Sequence, residues 1–154
     1  MSTTPPETIR LGALSVRFVL DAEISGGSAT AFECEVPANA VMSAAHSHDG
    51  FEETNYGLAG VTMFTVDGEL RELHPGEVVF IGRGVVHAFE NRSDRDAKFL
   101  AVVTPGALGP SYFEEIARVL GAAAGGPPDP AAIGEVMRRH GLSPAWDRPT
   151  APEA

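Results

Sequence analysis

Between Ile9 and Thr104 the chain is written as short runs of alternating apolar and polar residues: "LSVRFVL", "SATAFECEV", "ETNYGL", "VTMFTV", "GELREL", "EVVFI", "HAFEN" and "KFLAVVT". Breaks fall at Gly26-Gly27, Pro37, Asp49-Gly50, Asp67-Gly68, Pro75-Gly76, Gly82 to Gly84 and the segment "NRSDRD". Period-two runs cut this often by Gly, Pro, Asn and Asp predict an all-β sandwich or barrel. Asp67-Gly68, set between two such runs, is a two-residue hairpin signal, because both positions tolerate the positive φ of a type I′ turn. After Pro105-Gly106 the period changes. "SYFEEIARVLGAA" places Phe113, Ile116, Ala117 and Leu120 at helical spacing, with Ser111 expected as N-cap and Glu114 as its capping-box partner. "GGPPDP" then reads as a linker. "DPAAIGEVMRRHGL" predicts a second short helix capped by Asp129, opened by Pro130 and stopped by Gly141. The pattern divides the chain into a flexible arm over residues 1–8, a β-domain over 9–106 and a helical extension over 107–154 packed on it. The Pro-rich end "SPAWDRPTAPEA" is expected to be irregular, with Trp146 placed to hold it against the body.

At 154 residues the chain has the length of one domain that buries its core without a staple. A formal charge of −10 repels phosphate backbones and anionic surfaces, which argues against nucleic acid or membrane partners. No apolar run reaches the roughly 18 residues of a membrane span, and "MSTTPPETIR" lacks the basic start and apolar stretch of a secretory signal. A cytoplasmic location is the expectation. The one cysteine, Cys34, lies in an alternating run and is expected to be a small buried residue rather than a nucleophile.

The chemistry concentrates in "AAHSHDGFEETNYGLAG", Ala44 to Gly60. On extended backbone His46 and His48 point the same way, and Asp49-Gly50 supports a bend that returns Glu52 or Glu53 beside them. His87 opens a later run after "GRG". An H-x-H pair alone is more often loop decoration than a ligand pair. Three imidazoles and a carboxylate, however, make a mixed N/O set suited to one divalent transition ion, Fe, Mn, Ni, Cu or Zn. His74 precedes Pro75-Gly76 and His140 ends a helix beside Arg138 and Arg139, so both are expected outside the site.

This stretch resembles the first motif of the cupin superfamily, G-x5-H-x-H-x3or4-E-x6-G, and "GEVVFIGRGVVHAFEN" resembles the second, G-x5-P-x-G-x2-H-x3-N. Ala40 replaces the first glycine and Gly82 the proline, positions that shape turns and carry no ligand. "GGSATAFECEVPANA" and "VVTPGALGPSYFEEIA" look like the quercetinase-like subset of small single-domain cupins. The resemblance implies a jelly-roll β-barrel, or double-stranded β-helix, with the C-terminal helices covering its mouth, lying on its outer face or touching a second subunit. It implies His46, His48, Glu53 and His87 as metal ligands, Glu53 being favoured over Glu52 because six residues separate it from Gly60. Glu53 would also take the proton of a substrate hydroxyl. Strand parity then points Asn55, Gly57, Phe89 and Asn91 inward and adds Met42 and Met63 as substrate-binding candidates. The activity implied is a metal-dependent dioxygenase acting on a small phenolic or enolisable molecule, with a non-redox isomerase or cyclase, or a small-molecule binder, as alternatives. Small cupins commonly pair as homodimers.

Overall fold

The computed structural model describes residues 7–41 and 44–148. A hairpin of β1 (Thr8–Leu11) and β2 (Leu14–Leu20) leads through a one-turn helix, α1 (Ala22–Ser25), to β3 (Thr30–Val36). The remaining barrel strands are β4 (His46–His48), β5 (Glu52–Ala59), β6 (Thr62–Val66), β7 (Glu69–Leu73), β8 (Val78–Ile81), β9 (His87–Glu90) and β10 (Ala97–Thr104). They form two antiparallel sheets, ordered β1-β2-β3-β10-β5-β8 and β11-β4-β9-β6-β7, where β11 is Leu142–Pro144. This is the expected double-sheet jelly roll. Alternation dictates the packing: along β10 Ala97, Phe99, Ala101 and Val103 are buried while the residues between them are partly exposed. Phe64 and Ile81 join this face in the core.

The Asp67-Gly68 turn joins β6 to β7 with φ of 50° and 80°, the left-handed pair a type I′ turn needs. Thr8 belongs to a strand rather than to the N-terminal arm; residues 1–6 of that arm lie outside the described residues.

Both expected helices form. The first, α2 (Pro110–Ala122), begins one residue before Ser111: Gly109 is its N-cap, without a side-chain bond, and Pro110 takes the first helical position. Proline's fixed φ suits that position, so Ser111 falls inside the first turn and is not the cap expected of it. The second, α3 (Pro130–Arg139), is capped as expected by Asp129, whose carboxylate accepts the Ala131 N–H at 3.0 Å. Gly141, at φ 78°, turns the chain out of the helix. From Leu142 to Asp147 the chain is regular, against the irregular end expected of "SPAWDRPTAPEA", whose residues 149–154 lie outside the described residues. Strand β11 pairs with β4, setting Leu142 opposite His48 and Pro144 opposite His46. Buried Leu142 anchors it, and a 3-10 turn holds Trp146 over Gly134 of α3. The C-terminal segment therefore completes a barrel sheet. Helix α2 packs against β1 and α3 against β11, and the two helices are tied to each other by Arg139 of α3 and its C-cap His140 pairing with Glu115 on α2.

Candidate metal centre

The three expected histidines converge. His46 and His48 share one face of β4, and antiparallel pairing sets His87 of β9 opposite His46. Each offers one nitrogen, and the three lie within 4.8 Å of one another. Nδ1–H of His46 donates to the Ala44 carbonyl at 2.9 Å, and Nδ1–H of His87 to that of Val85 at 3.0 Å. A carbonyl only accepts, so these bonds fix the tautomer and leave each Nε2 lone pair free to coordinate. His48 is oriented differently: its ring stacks on Phe51 with centroids 4.5 Å apart, and its buried Nδ1 has no hydrogen-bond partner.

Of the two glutamates, Glu53 faces the histidines. Its Oε2 is 3.3 Å from His48 Nε2 and 3.8 Å from His87 Nε2. Glu52, one residue out of phase, pairs at the surface with Arg83 at 2.9 Å. His74 pairs with Glu72 and His140 with Glu115, both away from this cluster as expected.

Burial sets the charge states. It pushes His48 down to about 2 and His87 down to about 3, with neighbouring imidazoles adding to both shifts, and it lowers His46. All three rings are neutral at pH 7, the form that binds metal. Burial drives the Glu53 carboxyl up to about 7, while the side chain of Asn55 opposes the shift. A buried carboxylate beside the neutral imidazoles of His48 and His87 has no cationic partner among the described residues, and a divalent ion would supply that charge. Convergent donors, preset tautomers and an uncompensated carboxylate all fit a bound transition ion.

The cluster lines a cavity of about 470 Å³. Phe89 lies in its wall as expected, backed by Phe64 and Phe99 at 5.5 and 5.2 Å between ring centroids. Four other expected wall residues are elsewhere. Met63 is in register with Glu90, whereas Phe64 faces Phe89, so Met63 takes the opposite face of β6. Gly57 and Asn55 do face inward, but farther along β5 than the cavity reaches. Gly57 lies against the His74 carbonyl, and Asn55 is wholly buried with its amide 3.4 Å from the Val79 carbonyl. Asn91 is a loop clamp: its Nδ2 donates to Val36 and Arg95 carbonyls at 3.0 and 2.7 Å, and its Oδ1 accepts from Ser93 N–H and hydroxyl. Met42 lies outside the described residues.

The clamp role of Asn91 makes a prediction. Asn91→Ala strands buried carbonyls and costs about 2 kcal/mol of stability, readable by urea denaturation, while metal content stays at the native level. Loss of metal with unchanged stability would reverse the assignment.

Pattern reading also left residues unnamed. Tyr112, Leu108 and Met137 reach the cavity from the C-terminal segment. The apolar stripe of α2 was visible, but periodicity does not say what a stripe packs against. Tyr112 is buried, and burial together with the nearby Glu53 charge raises its phenol. Cys34 also reaches the wall as a buried free thiol, and desolvation raises its pKa, which keeps it protonated and unreactive.

Two packed antiparallel sheets around a three-histidine cluster define a small barrel protein equipped for a metal. Residues 32–103 match the cupin domain family Cupin_2. In solved structures the chain resembles a predicted oxalate decarboxylase from Thermotoga maritima, with TM-score 0.59 and 28% identity over 66% of this chain and 92% of that one. It also resembles KdgF from a Halomonas species, with TM-score 0.57 and 17% identity over 64% and 86% of the two chains. An oxalate-binding protein of Thermotoga maritima is 36% identical over 58 residues, 38% of this chain and 48% of that protein, so the match spans about half of the relative's length. Residues 32–103 of the chain are therefore read as a cupin domain, carried on the fold these solved structures share. Among the described residues no helix is long and apolar enough to cross a membrane.

Proposed function

We propose that this cupin is a metal-dependent oxygenase of the quercetinase-like kind, acting on a small phenolic or enolisable compound. The composition of the cavity wall carries the reading: Glu53 is its one acidic side chain, and no Lys or Arg lies among the described lining residues. A dicarboxylate or a sugar phosphate needs cationic partners for its charges, and a hydrocarbon wall leaves them unpaired at high cost. A phenol or enol brings one ionisable hydroxyl and an apolar body, which match the polar and hydrocarbon parts of this wall.

His46, His48, His87 and Glu53 would hold the ion, which supplies Lewis acidity and, where it is Fe, Mn, Ni or Cu, redox capacity. The chain's own groups do the rest. A Glu53 oxygen accepts the proton of the substrate hydroxyl, Nδ1–H bonds hold the imidazoles of His46 and His87 in place, and the apolar wall excludes water from the reacting end. The same reading carries a cytoplasmic homodimer. Exposed Tyr56, Val78 and Phe80 on the outer face of β5 and β8 support pairing through that sheet.

Metal analysis of the purified protein, joined to O₂-uptake assays over a panel of phenols and 1,3-dicarbonyls, tests the proposal. Iron, copper, nickel or manganese with uptake is expected. Zinc with product formation and no uptake would replace the oxygenase with a Lewis-acid isomerase or cyclase, and binding without turnover would make the protein a carrier.

A further inference from the structure

We infer that the C-terminal helices wall an apolar chamber within the cavity for the tail of the substrate, so that the ligand is an amphiphile. Its ionisable hydroxyl meets the histidines and a hydrocarbon or aryl body extends beneath α2. The inference rests on the proposed reading of the metal end and adds the nature of the rest of the molecule.

Polarity is segregated within the cavity. It divides by element: His46, His48, His87 and Glu53 come from β4, β9 and β5, with Tyr112 near enough for the Glu53 charge to act on it. Beyond them the wall is hydrocarbon: Leu11 and Leu14 from the β1–β2 hairpin face Leu108, Phe113, Ile116 and Leu120 from the C-terminal segment. Such a surface offers water no hydrogen-bond partners, and leaving it unfilled forfeits dispersion contacts. At about 470 Å³ the whole cavity is in the range of pockets that enclose a small organic ligand.

The C-terminal walls of the chamber lie outside the matched cupin domain. The cupin match ends at residue 103, before either C-terminal helix begins. Its walls are also braced: Arg139 and His140 hold α3 to α2 through Glu115, and Arg138 grips Asp147 at 2.7 Å beyond β11. A braced apolar wall selects ligands by length, because it neither pairs a polar tail nor gives way easily to a longer one.

A homologous series of 4-alkylphenols, from ethyl to dodecyl, tests this on the full-length protein by isothermal titration calorimetry. Affinity is expected to rise about fourfold per methylene while the tail is being buried, then to stop rising once the chamber is full. Ile116→Trp should move that limit to a shorter tail, weakening the long-tailed members more than the ethyl compound. Leu120→Phe carries the same test should the tryptophan variant fail to fold. The rise per methylene should persist in His48→Ala, since the tail does not touch the metal end. Affinity independent of tail length, or an Ile116→Trp variant that weakens every member equally, overturns the chamber. A persistent length dependence without O₂ uptake by any compound overturns the oxygenase and leaves the chamber standing.

Discussion

Replacing His48 by alanine is expected to strip the protein of its metal. His48 is 1% exposed, and its Nε2 stands 3.3 Å from Glu53, nearer to that carboxylate than the corresponding nitrogen of His87 at 3.8 Å. Removing it leaves two imidazoles and a carboxylate in a dry pocket, and no other described His, Cys, Asp or Glu joins the cluster to replace it. Losing even an outer hydrogen bond to a ligand costs roughly 10–100-fold in metal affinity. Losing the ligand itself should exceed that, so the ion is lost on dialysis. Elemental analysis of dialysed protein reads this directly, with far-UV circular dichroism to confirm that the barrel persists. His74→Ala is the matched control. Its imidazole pairs with Glu72 at the surface, and such exposed pairs contribute at most about 1 kcal/mol. Metal retained by the His48 variant at the native stoichiometry defeats the ligand assignment.

That experiment addresses the part of the molecule most legible from residues alone. His46, His48, Glu53 and His87 come from three strands, yet each was readable because the cupin spacing stands for a fixed register: β4 against β9, and β5 in the facing sheet. Strand parity also separated Glu53 from Glu52. The same parity misplaces Met63, because the face depends on where β6 begins relative to β9; a one-residue offset exchanges Met63 for Phe64. For Asn55, Asn91 and Gly57 the inward direction was right and the destination wrong, because period two gives a face and not a depth along the barrel. The C-terminal segment was the least legible. Nothing local distinguishes an apolar helix stripe that caps a cavity from one that packs on an outer sheet, and the three residues of β11 are too few to carry a period. Pairing with β4 decides their conformation, and that is a long-range fact.

Gly57 shows what the change of destination means, and Gly57→Ala is expected to be the most destabilising small substitution in β5. A methyl group built there would lie 2.1 Å from the His74 carbonyl oxygen and 2.7 Å from its carbon, both backbone atoms. Neither partner can move aside cheaply. Gly57 N–H donates to the Glu77 carbonyl at 3.0 Å, and the Gly57 carbonyl accepts from Gly76 N–H at 3.0 Å, so the strand and the turn are stitched together on both sides of the contact. Relief of the clash breaks at least one of these bonds, and overpacking of this kind costs about 1–3 kcal/mol before the lost bond is added. A total of about 3 kcal/mol lowers the melting temperature by roughly 6–12 °C for a chain of this size. If Gly57 instead left open space beside the metal, alanine would fill it, raise or preserve the melting temperature and alter ligand binding. Thermal denaturation followed by circular dichroism separates the two, and a melting temperature within about 2 °C of the native value, well below the shift expected from the clash, would return Gly57 to the cavity.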